Sequence, residues 1–226
     1  MKIYTVSDLH LPGSKDKTMD MFGQRWQGHW EKIREDWIKK VKDEDAVLIA
    51  GDISWAMQLS EALPDIEAIS ALPGKKIMIR GNHDFWWSSV TKVREVLDGN
   101  TFVLQNDALK IGDFVFAGTR GWTDGDTVQD KKIFRREKMR LELTLKAAAK
   151  LKDENSKIIV MLHYPPVQNG IYGEFCPIME EYGVNICIYG HLHGVDRKEA
   201  EETVHNGIRY VLSSCDMIDF TLREII

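Results

Sequence analysis

No run of about 18 apolar residues, the length a helix needs to cross a bilayer, occurs anywhere in the chain. The opening MKIYTVSDLH also lacks the apolar stretch and small-residue cleavage site of a secretory leader. A cytoplasmic location with no membrane partner is therefore expected. Cysteine is scarce: Cys176, Cys187 and Cys215 are odd in number and none stands in a C-x-x-C pair. That argues against a disulfide framework and for a reducing compartment, with the three read as small buried side chains. An excess of one charge is missing too, since a formal net charge of −5 over 226 residues fits neither a basic nucleic-acid binder nor a disordered acidic chain. Repeats, linkers and low-complexity blocks are absent. Residues 1 to 226 are expected to form one domain, long enough to bury a substantial core.

Short apolar runs alternate with longer amphipathic stretches. Lys2 to Val6, Ala46 to Ala50, Lys76 to Ile79, Phe102 to Gln105, Phe114 to Ala117, Lys157 to Leu162, Asn185 to Tyr189 and Arg209 to Ser213 read as strands. Helical patterns separate the first three: Trp26, Trp30, Ile33 and Trp37 recur at helical spacing, and Ile66 to Leu72 stops at Pro73-Gly74. This alternation predicts βαβ units and parallel strands in the first half. The runs from Phe102 to Ala117 read as an antiparallel excursion, and a helix is expected from about Thr127 to Lys152. The fold class is α/β, with helices covering a mixed sheet.

Polar motifs sit just after these strands, at the carboxyl edge where α/β proteins place their sites. Asp8 and His10 stand in Ser-Asp-Leu-His, Asp52 follows Gly51, and Gly81-Asn82-His83-Asp84 follows the third strand. His163 follows the Lys157 run, and Gly190-His191-Leu192-His193 follows the Asn185 run. In an Asp-x-His or His-x-His pair the two side chains share one side of an extended segment, so both can address one ion. Oxygen and imidazole donors without thiolate suit Mn, Fe or Zn. The set exceeds the needs of one tetrahedral ion. If Asp52 bridges through its two oxygens, it divides into two sites for divalent or trivalent ions about 3.5–4 Å apart. Two divalent ions, the carboxylates of Asp8 and Asp52 and a bridging hydroxide leave a residual charge of about +1, which attracts a phosphate oxygen.

In their order, these blocks resemble the calcineurin-like metallophosphoesterases, whose signature runs D-x-H, G-D, G-N-H-[DE], a single His, and G-H-x-H. The resemblance spans Asp8 to His193. It implies one ion on Asp8, His10 and His193, a second on Asn82, His163 and His191, and Asp52 as the bridge. It implies further that His83 is no ligand but faces the leaving group or a phosphate oxygen, and that two mixed sheets pack as a sandwich flanked by helices. The expected function is metal-dependent hydrolysis of a small phosphomonoester or phosphodiester.

The protein serine/threonine phosphatases of that superfamily read G-D-x-x-D-R-G after the second strand, whereas this chain reads Gly51-Asp52-Ile53-Ser54-Trp55-Ala56-Met57. Both the second aspartate and the arginine are missing, which speaks against that alternative. Asp84 is a candidate to orient His83 and equally a loop-stabilising carboxylate. Arg120, Trp55 and Tyr164 are candidate substrate contacts. The Trp26, Trp30 and Trp37 stripe reads as burial against a sheet. Trp86 and Trp87 read as site wall or core. The basic segment Lys131 to Arg140 is expected to be a solvated helix face, although it also suits a nucleic-acid strand and keeps a nuclease as an alternative. A metal-holding scaffold without turnover is a third reading, disfavoured by His83. His29 and His205 belong to no motif.

Overall fold

A computed structural model describes residues 1–13, 19–123, 125–196 and 202–226. Strand and helix alternate through β1 (Ile3–Thr5), α1 (His29–Lys40), β2 (Ala46–Ile49), α2 (Leu59–Ser70), β3 (Lys75–Met78), α3 (Val90–Glu95) and β4 (Thr101–Val103). The chain continues through β5 (Ala108–Ile111), β6 (Phe114–Thr119), α4 (Val128–Leu151), β7 (Lys157–Leu162), the small hairpin β8 (Val167–Gln168) and β9 (Ile171–Tyr172), and α5 (Phe175–Glu181). It ends with β10 (Ile186–Tyr189), β11 (Thr203–His205), β12 (Ile208–Leu212) and β13 (Arg223–Glu224). Among the described residues no helix is long and apolar enough to cross a membrane.

Two mixed sheets result, of five strands in the order β13-β1-β2-β3-β4 and six in the order β11-β12-β10-β7-β6-β5. In each the inner strands run parallel; antiparallel β13 and parallel β4 form the edges of the first sheet, and antiparallel β11 and β5 those of the second. The strands are apolar on both faces because both are covered, and period two sorts their residues into layers. Ile3, Leu48 and Ile77 of the first sheet pack on Phe116, Ile159, Met161 and Ile188 of the second. Their neighbours Tyr4, Val47, Ile49 and Met78 turn outward onto Ile33 and Trp37 of α1 and Ile66 and Ile69 of α2. In the second sheet Val115, Ile158, Val160 and Cys187 turn outward onto Leu141, Leu145 and Ala148 of α4 and Met179 of α5. The layers are helix, sheet, sheet, helix, each buried aliphatic side chain contributing about 1.5–3 kcal/mol. Helix α4 starts as its sequence suggests, with the Thr127 hydroxyl accepting the Asp130 N–H at 3.0 Å.

In the stretch from Phe102 to Ala117 the antiparallel excursion forms around Gly112, where β5 pairs with β6 in the second sheet, but the Phe102 run takes no part in it: β4 ends the first sheet, parallel beside β3. At their carboxyl edge the sheets are pinned together by Ser7, whose N–H donates to Ser213 O at 2.7 Å and whose carbonyl accepts the Cys215 N–H at 3.0 Å. The Ser7 and Ser213 hydroxyls meet at 2.7 Å. This pinch draws loops from the two sheets into one cluster.

Candidate metal centre

Every ligand candidate lies on a loop leaving the carboxyl end of a parallel strand. Asp8 and His10 follow β1, Asp52 follows β2, Asn82 and His83 follow β3, His163 follows β7, and His191 and His193 follow β10. Asp8, His10, Asp52 and His191 all have positive φ, between 46° and 72°. Side chains other than glycine rarely adopt that backbone, and four such residues in one cluster are strain the surrounding fold must hold. Close approach is enforced as well: a Cβ at Gly81 would fall on the Asp52 carboxylate, and one at Gly190 would lie 2.5 Å from Asp8 Oδ2.

Two groups of donors converge. Asp8, His10 and His193 each present a ligand atom within 4.8 Å of the others, and Asp8, Asp52 and His163 do the same. Asn82 Oδ1 stands 2.6 Å from His163 Nε2 and 3.0 Å from His191 Nδ1, so the amide oxygen joins the second group. Asp52 Oδ1 accepts the His83 N–H at 2.8 Å, while Oδ2 lies 3.8 Å from His10 Nε2 and 3.5 Å from His163 Nε2. Oδ1 thus carries one backbone bond, and Oδ2 stands between a donor of each group.

Outer partners fix the imidazoles. His163 Nδ1–H donates to the Ala50 carbonyl at 2.9 Å, leaving Nε2 as the free lone pair. His193 Nδ1 bonds Asp216 Oδ1 at 2.8 Å and turns Nε2 toward Asp8 Oδ1, 3.7 Å away. His29 reaches the Leu9 carbonyl at 2.8 Å and so braces the segment between Asp8 and His10.

Electrostatics favour a cation here. Burial, reinforced by the charge of Asp52, pushes Asp8 up to about 8. Burial likewise raises Asp52. Without a compensating positive charge these carboxylates resist ionisation. Burial holds His163 down at about 3 and His191 at about 4, and lowers His10, so neutral imidazoles stand ready as ligands. Burial also opposes charging of His193, but the bond to Asp216 and the nearby Asp8 lift it above the ordinary value. His10 Nδ1 is buried with no hydrogen-bond partner among the described residues, while Nε2 is the atom that faces Asp52. The donor set, carboxylate, amide and imidazole, fits first-row transition ions.

A cavity of about 690 Å3 opens over this cluster, walled by His10, Asp52, His83, His191, His193, Trp55 and Trp26. Trp55 stacks on His10 at 4.7 Å and stands 4.6 Å from His83. Trp26 is buried in the core cluster on the first sheet's outer face, as its spacing implied, and its ring also meets His193 and Phe220 at 5.7 and 5.2 Å. Sequence reasoning also passed over Arg25 and Asp216, which share the cavity wall. Arg25 donates to the Asp216 carbonyl and to Asp219.

Other candidates lie elsewhere. Arg120 and Tyr164 do not wall this cavity. The Tyr164 ring packs 4.2 Å from that of His191 and 4.7 Å from Trp122, and Arg120 lies over Trp122 at 4.9 Å, forming a layer behind the ligands. Asp84 is corrected from a catalytic to a positioning group. Its two oxygens accept the N–H groups of Asp52, Ile53, Ser54 and Gly81 and the Trp86 indole N–H, rather than addressing the His83 ring. It ties the β2 and β3 loops together. Trp86 and Trp87 are both core. His205 stacks on Tyr172 at 3.9 Å, away from the site.

Carboxylate and imidazole donors gathered where two packed sheets meet are the features of a metallohydrolase. The family model for calcineurin-like phosphoesterases matches residues 1–195, and the chain belongs to that family. It is thus a phosphoesterase of the general metal-dependent kind. The match contains all seven ligand candidates and stops short of Asp216. Among curated proteins none matches the chain. Among solved structures, AQ665 from Aquifex aeolicus, a protein of unknown function, matches with a TM-score of 0.54 at 16% identity, covering 99% of this chain and 95% of that one. Likeness at that identity concerns the fold alone.

Proposed function

We propose that the protein hydrolyses a small phosphate monoester or diester at a centre of two Mn, Fe or Zn ions, held by Asp8, His10 and His193 on one side and Asn82, His163 and His191 on the other. The observation that carries this reading is Asp52 Oδ2, placed within 3.8 Å of a donor from each group while its partner oxygen is held by backbone. When bound, the two ions activate a water and offset charge on the phosphoryl oxygens.

The chain's own residues supply the rest. His83 is anchored through its N–H to Asp52, so its ring borders the cavity at a fixed distance from the ligands. In this reading it gives a proton to the leaving-group oxygen, a role worth typically 10² to 10⁴ in rate. Trp55, stacked over His10, offers a flat wall for the organic part of the substrate. A small ester in the cytoplasm is preferred to nucleic acid, because the basic face of α4 does not reach this cavity: Arg136 and Arg140 turn to the buried Glu137.

The test is to strip the full chain with chelator, reload it with Mn or Mg, and assay nitrophenyl and alkyl mono- and diesters. Turnover should vanish on chelation and return with Mn at least as well as with Mg. His83→Ala should keep its metals, lose about 10²-fold or more on alkyl esters and distinctly less on nitrophenyl esters, whose leaving group departs without a proton. Metal-loaded protein inert toward every ester, or turnover indifferent to chelation, would refute the reading.

A further inference from the structure

A second cavity, of about 250 Å3, shares no wall residue with the metal-site cavity. It lies where β3 and β6 end, and its walls include Arg80, Arg120, Arg136, Arg140 and Asn106. No carboxylate lines it. The acid in contact with these arginines is the fully buried Glu137, 2.7 Å from Arg140, 3.8 Å from Arg136 and 4.0 Å from Arg120. Four guanidinium groups against one carboxylate leave an excess of three positive charges. Burial pushes Arg120 below its usual value, and Arg80 and Arg136 add to that despite Glu137, which shows how closely the like charges are held. Arginine keeps its proton regardless. The Nε atoms of Arg80 and Arg120 are buried with no hydrogen-bond partner among the described residues, so these two side chains are held by packing while they line the cavity.

Four guanidinium groups lining one small cavity match the oxygens of a tetrahedral oxyanion, to which arginine donates in pairs. Size narrows the choice further. The volume is below the roughly 300 Å3 at which pockets begin to enclose a drug-sized ligand, so the enclosed part suits a group of phosphoryl size. From this charge, geometry and volume we infer that the cavity is a binding site for a phosphate-type oxyanion, separate from the metal centre. It also sits against the machinery: Arg80 precedes Asn82 by two residues, and the Arg120 carbonyl accepts the N–H groups of His163 and Tyr164 at 3.0 and 2.9 Å. An anion drawing on these arginines bears directly on the loops that carry Asn82 and His163. The occupant is either free inorganic phosphate or a second, non-scissile phosphoryl group of the substrate, and only the latter rests on the hydrolytic reading.

Calorimetric titration of the metal-loaded full chain with inorganic phosphate decides the site. Wild type should bind one phosphate per chain more than Arg136→Gln/Arg140→Gln, with the extra site filled by about 10 mM. Equal stoichiometry in the two proteins would overturn the inference. Arg136 has a side chain 52% exposed, so Arg136→Gln alone tests the point without risk to the core. It should weaken the extra site about tenfold, the loss of one charged hydrogen bond, while Arg135→Gln leaves it unchanged. A second assay finds the source. A KM raised about tenfold by the double substitution for esters with two phosphoryl groups, but not one, identifies the substrate's own phosphate; unchanged KM values beside a lost phosphate site identify the free anion. If no ester is turned over, the proposed function fails while the titration still decides the anion site.

Discussion

Asp52 divides its carboxylate between two tasks, and that division sets what a substitution does. Oδ1 holds the His83 N–H and Oδ2 faces His10 and His163, so an asparagine must aim its NH2 group either at a backbone donor or at the ions. Asp52→Asn is therefore expected to retain less metal per chain than His193→Ala, which removes a donor from one group only; elemental analysis of the purified variants measures this, and wild-type metal content in Asp52→Asn would end the bridging assignment. Asp216 acts one step further out. Its Oδ1 orients His193 and its Oδ2 accepts the Gly194 N–H at 3.0 Å. Asp216→Ala should weaken metal affinity about 10- to 100-fold, read by competition with a chromogenic chelator, and affinity within twofold of wild type would make the contact incidental. Asp216 was legible in principle, because it closely follows the predicted Arg209 to Ser213 strand just as Asp52 follows its own. It was missed because a lone aspartate carries no spacing pattern. Asp84 stood open between two readings for the opposite reason: its place next to His83 suggested a partner, while the five bonds to N–H groups that make it a loop-stabilising carboxylate depend on loops folded from distant sequence.

Elements with both faces buried were read well from their apolar runs, and β2, β3, β7, β10 and β12 lie within or beside the predicted segments. Strands of two residues, such as β13, are too short for any periodicity to register. The crossing between β4 and β5 escaped for a different reason, since a run records that a strand forms but not which sheet receives it. Lys76 is the clearest case of tertiary context overriding pattern. Opening a predicted strand, it would be read as solvent-facing, yet it is 1% exposed and its ammonium donates to the carbonyls of Ser70, Leu72 and Gly74 at 2.8 to 2.9 Å. These carbonyls end α2 and lead into β3, so one side chain fixes the turn between them. Lys76→Met is expected to cost about 1–3 kcal/mol in urea unfolding, because the carbonyls lose a charged donor. Stability equal to wild type would mean that burying the ammonium costs as much as its three bonds return.

Across the whole molecule, the proposed metal centre would join the sheets: Asp8, His10, Asp52 and Asn82 come from the first, His163, His191 and His193 from the second. Ions bound there cross-link the two layers, and their free energy of binding adds to that of folding. The protons add a sign. In metal-free protein Asp8, raised to about 8, keeps a proton that the unfolded chain releases near pH 4. The folded state then binds more protons than the unfolded one, so stability falls as pH rises through that value. Below neutrality the lowered histidines His10, His163 and His191 oppose this, since the unfolded chain protonates them and the folded one does not. Above about pH 7.5 the unfolded histidines are neutral, and the raised groups Asp8, Asp52 and His193 act with one sign, joined by the buried thiols of Cys176, Cys187 and Cys215, which keep protons that the unfolded chain releases. Chelator-treated protein should therefore melt at lower temperature at about pH 8.5 than at about pH 7.5. Metal-loaded protein should lose less over the same interval, because bound ions would keep Asp8 ionised and leave only the share of the buried thiols. The gap between the two melting curves widens with pH, and a metal-free melting temperature that rose over this interval would show that burial at Asp8 is not setting its charge.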